Sequence, residues 1–327
     1  DAQKVNVLVN LAAVTTSMSV GQLRGRSFRL DPDDPQKLAD NWDVVCIAPE
    51  FVKGLDDYGR FIDRHKTVFG LTDDGAIEKG VGHVHAAFTE LEPENVEGSL
   101  GVLNAEMLGR TRRRAEFRSL WRIGEPYHAE PIRALEVSGL GRQSGGGFPP
   151  FGQSRQPWSE SSLALAIGHA VLGSLREAGL LKRRYRLHAG QRAGGYVRLF
   201  LEEAEEEDAA LFAQALREAL GPLDRPRYVI PRFADEVRDT WLSGVLPEIL
   251  AQYFRKRRRR MATLHAIPSA LAKKKETAEL YGRHWNRHVS PGEPLYAHRG
   301  EGQRLLEKAR REGCVPQSRI HDKEVFL

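Results

Sequence analysis

Four residues near the amino end, Gln22, Gly25, Arg26 and Arg29, stand in the spacing Q-x-x-G-R-x-x-R. Arginine is a residue type that phosphoryl transfer can use. Cleaving a γ-phosphate gathers negative charge on its oxygens, and a guanidinium aimed at that charge raises the rate by roughly 10³–10⁵. Lysine is a poorer substitute, because the planar fork grips phosphate oxygens in fixed geometry. The plainer alternative is that Arg24, Arg26 and Arg29 form a solvated basic helix end, favoured by the helix dipole.

The elements around these residues follow from pattern. Residues 5–11 (VNVLVNL) are short, β-branched and bounded by small and polar residues, as in an interior strand of a parallel sheet. Thr15, Thr16, Ser17 and Ser19 offer N-caps for a helix through Val20, Leu23 and Arg24 that carries the four residues. Residues 31–35 (DPDDP) are a turn cluster, and residues 42–49 (WDVVCIAP) read as a second interior strand.

This strand, polar turn and arginine helix resemble motif VI of superfamily 2 nucleic-acid helicases of the DEAD/DEAH-box kind, in their second RecA-like domain. The resemblance covers residues 1–53, and Asp1 stands where the aspartate ending motif V would be. It implies that Arg26 and Arg29 are finger-type catalytic arginines. It also implies that Asp1, Gln22 and Gly25 attend the ATP, Gln22 by bonding a phosphate or coupling to the nucleic-acid side and Gly25 by letting the backbone pass close to the nucleotide. ATP with Mg²⁺ would be the cofactors and DNA or RNA the partner. No G-x-x-x-x-G-K-[ST] and no D-E-x-[DH] occurs in these 327 residues, so the phosphate cradle and the magnesium ligands would come from an N-terminal ATPase domain of the same protein or a separate subunit. The chain begins without methionine inside a motif, and two parallel strands alone cannot bury both faces. The expectation is therefore the C-terminal portion of a longer helicase or translocase, inactive toward ATP by itself. The alternative is a non-catalytic nucleic-acid-binding or scaffold protein with a remnant helicase domain.

At 327 residues the chain is long enough for two or three domains, and 41% hydrophobic with 28% charged residues is a globular composition. Lys+Arg 49 against Asp+Glu 44 leaves a mild +5. Cys46 and Cys314 build no disulfide framework, and neither has a Cys or His neighbour at metal-ligand spacing, which points to a reducing, cytoplasmic setting. No apolar run approaches the ~20 residues of a membrane span, and the start lacks a signal-peptide pattern.

The fold class expected is α/β: a partial RecA-like parallel sheet, a helical segment, and a C-terminal α+β domain with a small antiparallel sheet. Residues 54–138 form the helical accessory segment. Within it, residues 54–69 put Leu55, Tyr58, Phe61 and Ile62 on one face, with Asp and Arg elsewhere. Residues 80–85 alternate, so His83 and His85 would share one side of a strand, and structural histidines outrank a metal pair there. Residues 95–102 read as loop. Residues 103–121 read as a helix whose Arg110, Arg112, Arg113, Arg114 and Arg118 cannot share one face and meet solvent or phosphate.

Residues 139–158 (GLGRQSGGGFPPFGQSRQPW) read as a linker. Residues 159–235 then form an αββαβ domain: helix 161–181, a hairpin of 185–189 with 195–201, helix 205–220 and a strand at 227–231. Residues 236–327 are expected as a basic helical region, with an apolar helix at 241–254 followed by six cations at 255–260. Arg255, Arg257, Arg258, Arg259 and Arg260, with Lys274 on a helix capped by Ser269, are the candidate nucleic-acid contacts. Trp285 suits core packing better than stacking on unpaired bases, and a final helix at 302–312 is amphipathic cover.

Overall fold

The computed structural model describes residues 4–11, 16–29, 31–86, 96–120, 130–138, 160–192, 195–238 and 256–326. The fold is mixed α/β, with several sheets, and it divides into two compact units. One comprises Asp1–Pro131 with Arg192–Gly194 and Glu324–Leu327, and the other Ile132–Gln191 with Gly195–Lys323. Among the described residues no helix is long and apolar enough to cross a membrane.

In the first unit, β1 (Val7–Asn10) and β2 (Asp40–Asp43) pair in parallel, with helix α1 (Ser17–Ser27) between them in the chain. The helix starts at Thr16, whose hydroxyl accepts from the Ser19 amide at 3.3 Å. It ends at Phe28, so Arg29 lies just past the cap rather than on the helix. The two strands are shorter and more open than their sequences suggest. Val7 and Val9 are 50% and 52% exposed, because only the Leu8 and Asn10 side of β1 is covered. Strand β2 covers 40–43 rather than 42–49. Its ladder stops when the Val44 amide has donated to Asn10, the last residue of β1, and a turn between Ala48 and Gly54 takes over. The 31–35 turn forms as expected, with Asp31 and Asp34 carboxylates accepting from the amides of Asp33 and Gln36 at 3.0 Å.

Helix α2 (Asp56–His65) opens on Asp56 and Asp57 and closes on Arg64 and His65, a charge order matched to its dipole. At its end Arg64 and His65 are both buried. Strands β3 (Phe69–Leu71) and β4 (Ile77–Lys79) form an antiparallel hairpin, and Val325 and Phe326 pair with β4 on its other edge. The hairpin turn holds Gly75 at φ +86, where a side chain would be strained.

The alternating run at 80–85 is not a strand. Val81–His83 is a 3₁₀ turn, with His83 Nδ1 2.5 Å from the Gly80 carbonyl and His85 bonded to Glu106. Nor are residues 95–102 a loop throughout, since α3 (Val96–Arg112) already starts at Val96. A break at Arg113 then separates it from α4 (Arg114–Leu120). The arginines divide. Arg110 is an internal tie, donating to the carbonyls of Leu71 at 2.8 Å and Val84 at 2.9 Å, and burial lowers its pKa to about 10. Arg114 reaches Asp40 at 2.6 Å. Residues 139–158, expected as a linker, lie outside the described residues.

In the second unit, β7 (Tyr196–Leu201) lies between β5 (Ile132–Ser138) and β6 (Leu187–Arg192). All six β7 residues are buried. Helices α5 (Glu160–Glu177) and α6 (Glu206–Leu220) pack their Leu, Ile, Val and Ala faces on this sheet around Leu135, Val137, Leu199 and Leu201. In the middle of the sheet Glu136 and Arg198 sit opposite each other in register, and Arg198 Nη2 donates to Glu136 Oε1 at 2.6 Å with both side chains buried.

The strand expected to complete that sheet goes elsewhere. Strand β8 (Tyr228–Arg238) pairs with β9 (Lys256–Ala266) on one side and β10 (Leu295–Tyr296) on the other. So residues 236–327 are not simply helical, and the basic run is part of a strand. Its partner explains this. Strand β8 supplies a β-rich mate whose Asp235 and Glu236 stand in register with Arg259 and Arg258.

Helix α7 (Lys275–His288) buries Tyr281 and Trp285 in the main core, as expected of Trp285, and approaches α5 at Gly173, where a Cβ would come within 2.5 Å of the His284 ring. Lys274, not Ser269, holds its N-cap position, because the Ser269 amide and hydroxyl are engaged by Glu218. Helix α8 (Gly300–Arg311) sets Leu306 and Ala309 against Val229 and Leu264. Strand β11 (Arg319–Phe326) ends the described chain. The expected helix at 241–254 lies outside the described residues.

Candidate functional site

Helix α1 has two faces, and their chemistry differs. Val20 and Ser27 are buried, and Leu23 and Arg24 are half-buried beside them, a spacing of three and four residues that makes one stripe. Gln22, Gly25 and Arg26 are exposed on the other side, and Arg29 is exposed just beyond.

The inner face is held by a polar cluster. Arg24 Nη2 donates to Asp43 Oδ2 at 3.0 Å and lies 2.8 Å from His65 Nε2. Asn10 Nδ2 donates to Asp43 Oδ1 at 2.8 Å, and the Arg64 guanidinium is 3.5 Å from the same oxygen. His65 Nδ1 sits 2.7 Å from the Phe61 carbonyl, which orients the ring. Ser27 adds a bond to Asn41 at 2.7 Å. Strands β1 and β2 and helices α1 and α2 therefore meet on one carboxylate. Burial alone would raise the Asp43 pKa. Hydrogen bonding from His65 and Asn10, with the His65 and Arg24 charges, outweighs it and holds the carboxyl well below the usual range.

Among the described residues Arg26 and Arg29 make no ion pair, and Gln22 makes no side-chain hydrogen bond. The only side-chain bond to Arg29 is made to its backbone, where Lys37 Nζ donates to the carbonyl at 2.8 Å. A Cβ added at Gly25 would meet nothing within 4 Å, so no packing inside this unit calls for glycine there. Asp1 lies outside the described residues. Sequence reasoning grouped Arg24 with Arg26 and Arg29, whereas the structure separates it from them. It also passed over Asn10, Asp43, Arg64 and His65. The available signal was a lone aspartate after Trp42, meaningful only once its partners were known to converge.

The candidate nucleic-acid contacts belong to the second unit. Arg257, Arg258 and Arg259 lie in β9, of which only the backbone is described at these positions, Arg260 is exposed in the same strand, and Arg255 is outside the described residues. Lys274 is exposed at the start of α7. No group of three or more His, Cys, Asp or Glu side chains that could hold a metal ion occurs among the described residues.

Comparison with protein-family models, with curated proteins and with solved structures finds no match to this chain.

Proposed function

We propose that the chain is the C-terminal portion of an ATP-dependent nucleic-acid helicase or translocase, in which Arg26 and Arg29 reach the phosphates of an ATP bound on an N-terminal ATPase domain. The observation that carries this reading is the division of α1. Arg24 is turned inward onto Asp43, while Arg26 and Arg29 are exposed and make no ion pair among the described residues. A strand leading into a Thr-capped helix, then a second strand parallel to the first, is the local arrangement such a pair of arginines would need. In this reading Gln22 lies on the same outer face to bond a phosphate, Gly25 leaves room for the nucleotide's close approach, and Asp1 completes the nucleotide side. The magnesium ligands belong to the partner domain in this proposal. DNA or RNA would be held by the basic stretch of β9, Arg257 to Arg260 with Arg255 before it, and by Lys274.

A second reading, a non-catalytic nucleic-acid-binding or scaffold protein, rests on the same basic strand without the arginine role. Turnover distinguishes the two. The chain alone should hydrolyse no ATP, and mixing or fusing it with a domain that carries the phosphate loop should give nucleic-acid-stimulated hydrolysis. Turnover by the isolated chain, or none from the complete assembly, goes against the proposal.

A further inference from the structure

A cavity of about 590 Å³ opens in the second unit between the end of α6, the turn that follows it and the segment leading into α7. This volume is within the range of small-molecule sites. Pro222, Pro226, Ile267, Ala272 and Ile320 supply its apolar wall. Four cations, Arg217, Arg225, Arg227 and Lys273, share the lining with two carboxylates, Glu218 and Asp224.

The internal pairings leave that balance uneven. Arg217 is paired with Asp322, and Glu218 accepts from the amide and hydroxyl of Ser269. Arg225, Arg227 and Lys273 make no ion pair and no side-chain hydrogen bond among the described residues. Against these three cations stand Asp224 and Glu218, whose bonds to neutral donors leave its charge in place, so the lining keeps one positive charge in excess. Arg225 also holds φ at +47, a left-handed conformation that a non-glycine residue enters at a cost and that concentrates at ligand sites. An excess of cations around a concave, partly apolar wall focuses positive potential, and guanidinium forks match phosphate oxygens.

We propose that this cavity binds a phosphate monoester carried on a flat nucleobase, with Arg225, Arg227 and Lys273 on the phosphate and the proline-lined wall against the ring. The site is separate from α1 and does not depend on any ATPase role. Its ligand could come from two sources, a free nucleoside monophosphate or the phosphorylated end of a nucleic-acid strand.

Titration of the chain with adenosine 5′-monophosphate, with a short single-stranded oligonucleotide bearing a 5′-phosphate, and with the same oligonucleotide bearing a 5′-hydroxyl tests the site. Loss of the terminal phosphate should weaken oligonucleotide binding by about tenfold or more. The double variant Arg227→Ala, Lys273→Ala should lose that preference, whereas Arg287→Ala, Arg311→Ala, which removes two cations elsewhere, should keep it. Mononucleotide binding as tight as that of the phosphorylated strand identifies the free nucleotide as ligand. Much tighter binding of the strand identifies its end. Equal affinity for the two oligonucleotides together with no mononucleotide binding at millimolar concentration overturns the proposal, as does a preference that survives in Arg227→Ala, Lys273→Ala.

Discussion

The Arg24 guanidinium donates to the Asp43 carboxylate across 3.0 Å, and this contact fixes which face of α1 turns inward. Asp43 also receives Asn10 and lies beside Arg64 and His65. Asp43→Ala would remove the carboxylate on which Asn10, Arg24, Arg64 and His65 converge, and breaking a buried pair of this kind costs about 3–5 kcal/mol. Arg26→Ala, two residues along from Arg24, should change stability by less than about 0.5 kcal/mol, as exposed substitutions usually do. Urea denaturation of the two variants checks the contrast, and equal losses would refute the assignment of inner and outer faces.

The Glu136–Arg198 pair lies in the middle of the sheet with neither side chain reaching solvent. Glu136→Ala removes the carboxylate in register with a buried guanidinium and should cost about 3–5 kcal/mol. Replacing both residues with leucine and methionine removes the two desolvation penalties together. The double variant should therefore be more stable than Glu136→Ala alone. A double variant no more stable than Glu136→Ala would show that the pair's geometry, not charge burial, dominates.

Acid should loosen both units before any carboxylate of ordinary strength titrates. Burial holds the His265 ring at about 3 and the His83 ring at about 4, against 6.5 for the free side chain. The unfolded chain takes up these protons as pH falls below 6.5, and the folded chain does not. Stability is thus complete above 6.5 and declines toward pH 4, by up to about 1.4 kcal/mol per pH unit for each ring. Asp43 adds to the loss only under its ordinary value of 3.8, since its pKa is lowered in the fold. Denaturant midpoints measured from pH 7.5 down to 4.5 should fall steadily, and His265→Asn should flatten the slope. A midpoint independent of pH over that range would rule out both buried rings as its source.

In the basic strand, Arg259 and Arg258 stand in backbone register with Asp235 and Glu236. Nucleic-acid affinity should fall as salt rises, with a slope set by the number of phosphates engaged. Reversing the charge of Arg257 to Arg260 should weaken binding strongly and flatten that slope, whereas Asp235→Asn, Glu236→Gln should tighten it. Binding unchanged by the reversal would remove β9 from the interface.

How much of this was legible depends on the range of the interaction. The Thr16 cap, the 31–35 turn, helices α5 and α6 and the burial of Trp285 are visible in local pattern, because capping, turn chemistry and apolar periodicity act within a few residues. The polar cluster at Asp43 was not. It joins Arg24 to residues 19 and 41 positions away, and charged residues on a helix read locally as solvent-facing. The basic start of strand β9 was missed for a related reason. Successive cations read locally as a phosphate-binding patch, not as a strand, until the partner β8 comes into register. The proposed phosphate cavity was invisible as well, since its walls come from separate stretches of chain.

The most direct test of the proposed α1 role is the maximal rate of nucleic-acid-stimulated ATP hydrolysis by the chain joined to the ATPase domain proposed for it, comparing Arg26→Ala and Arg29→Ala with the unaltered protein. A fall of about 10³-fold or more in kcat, with folding intact and KM for ATP little changed, is the predicted result. Wild-type kcat in both variants would contradict the account.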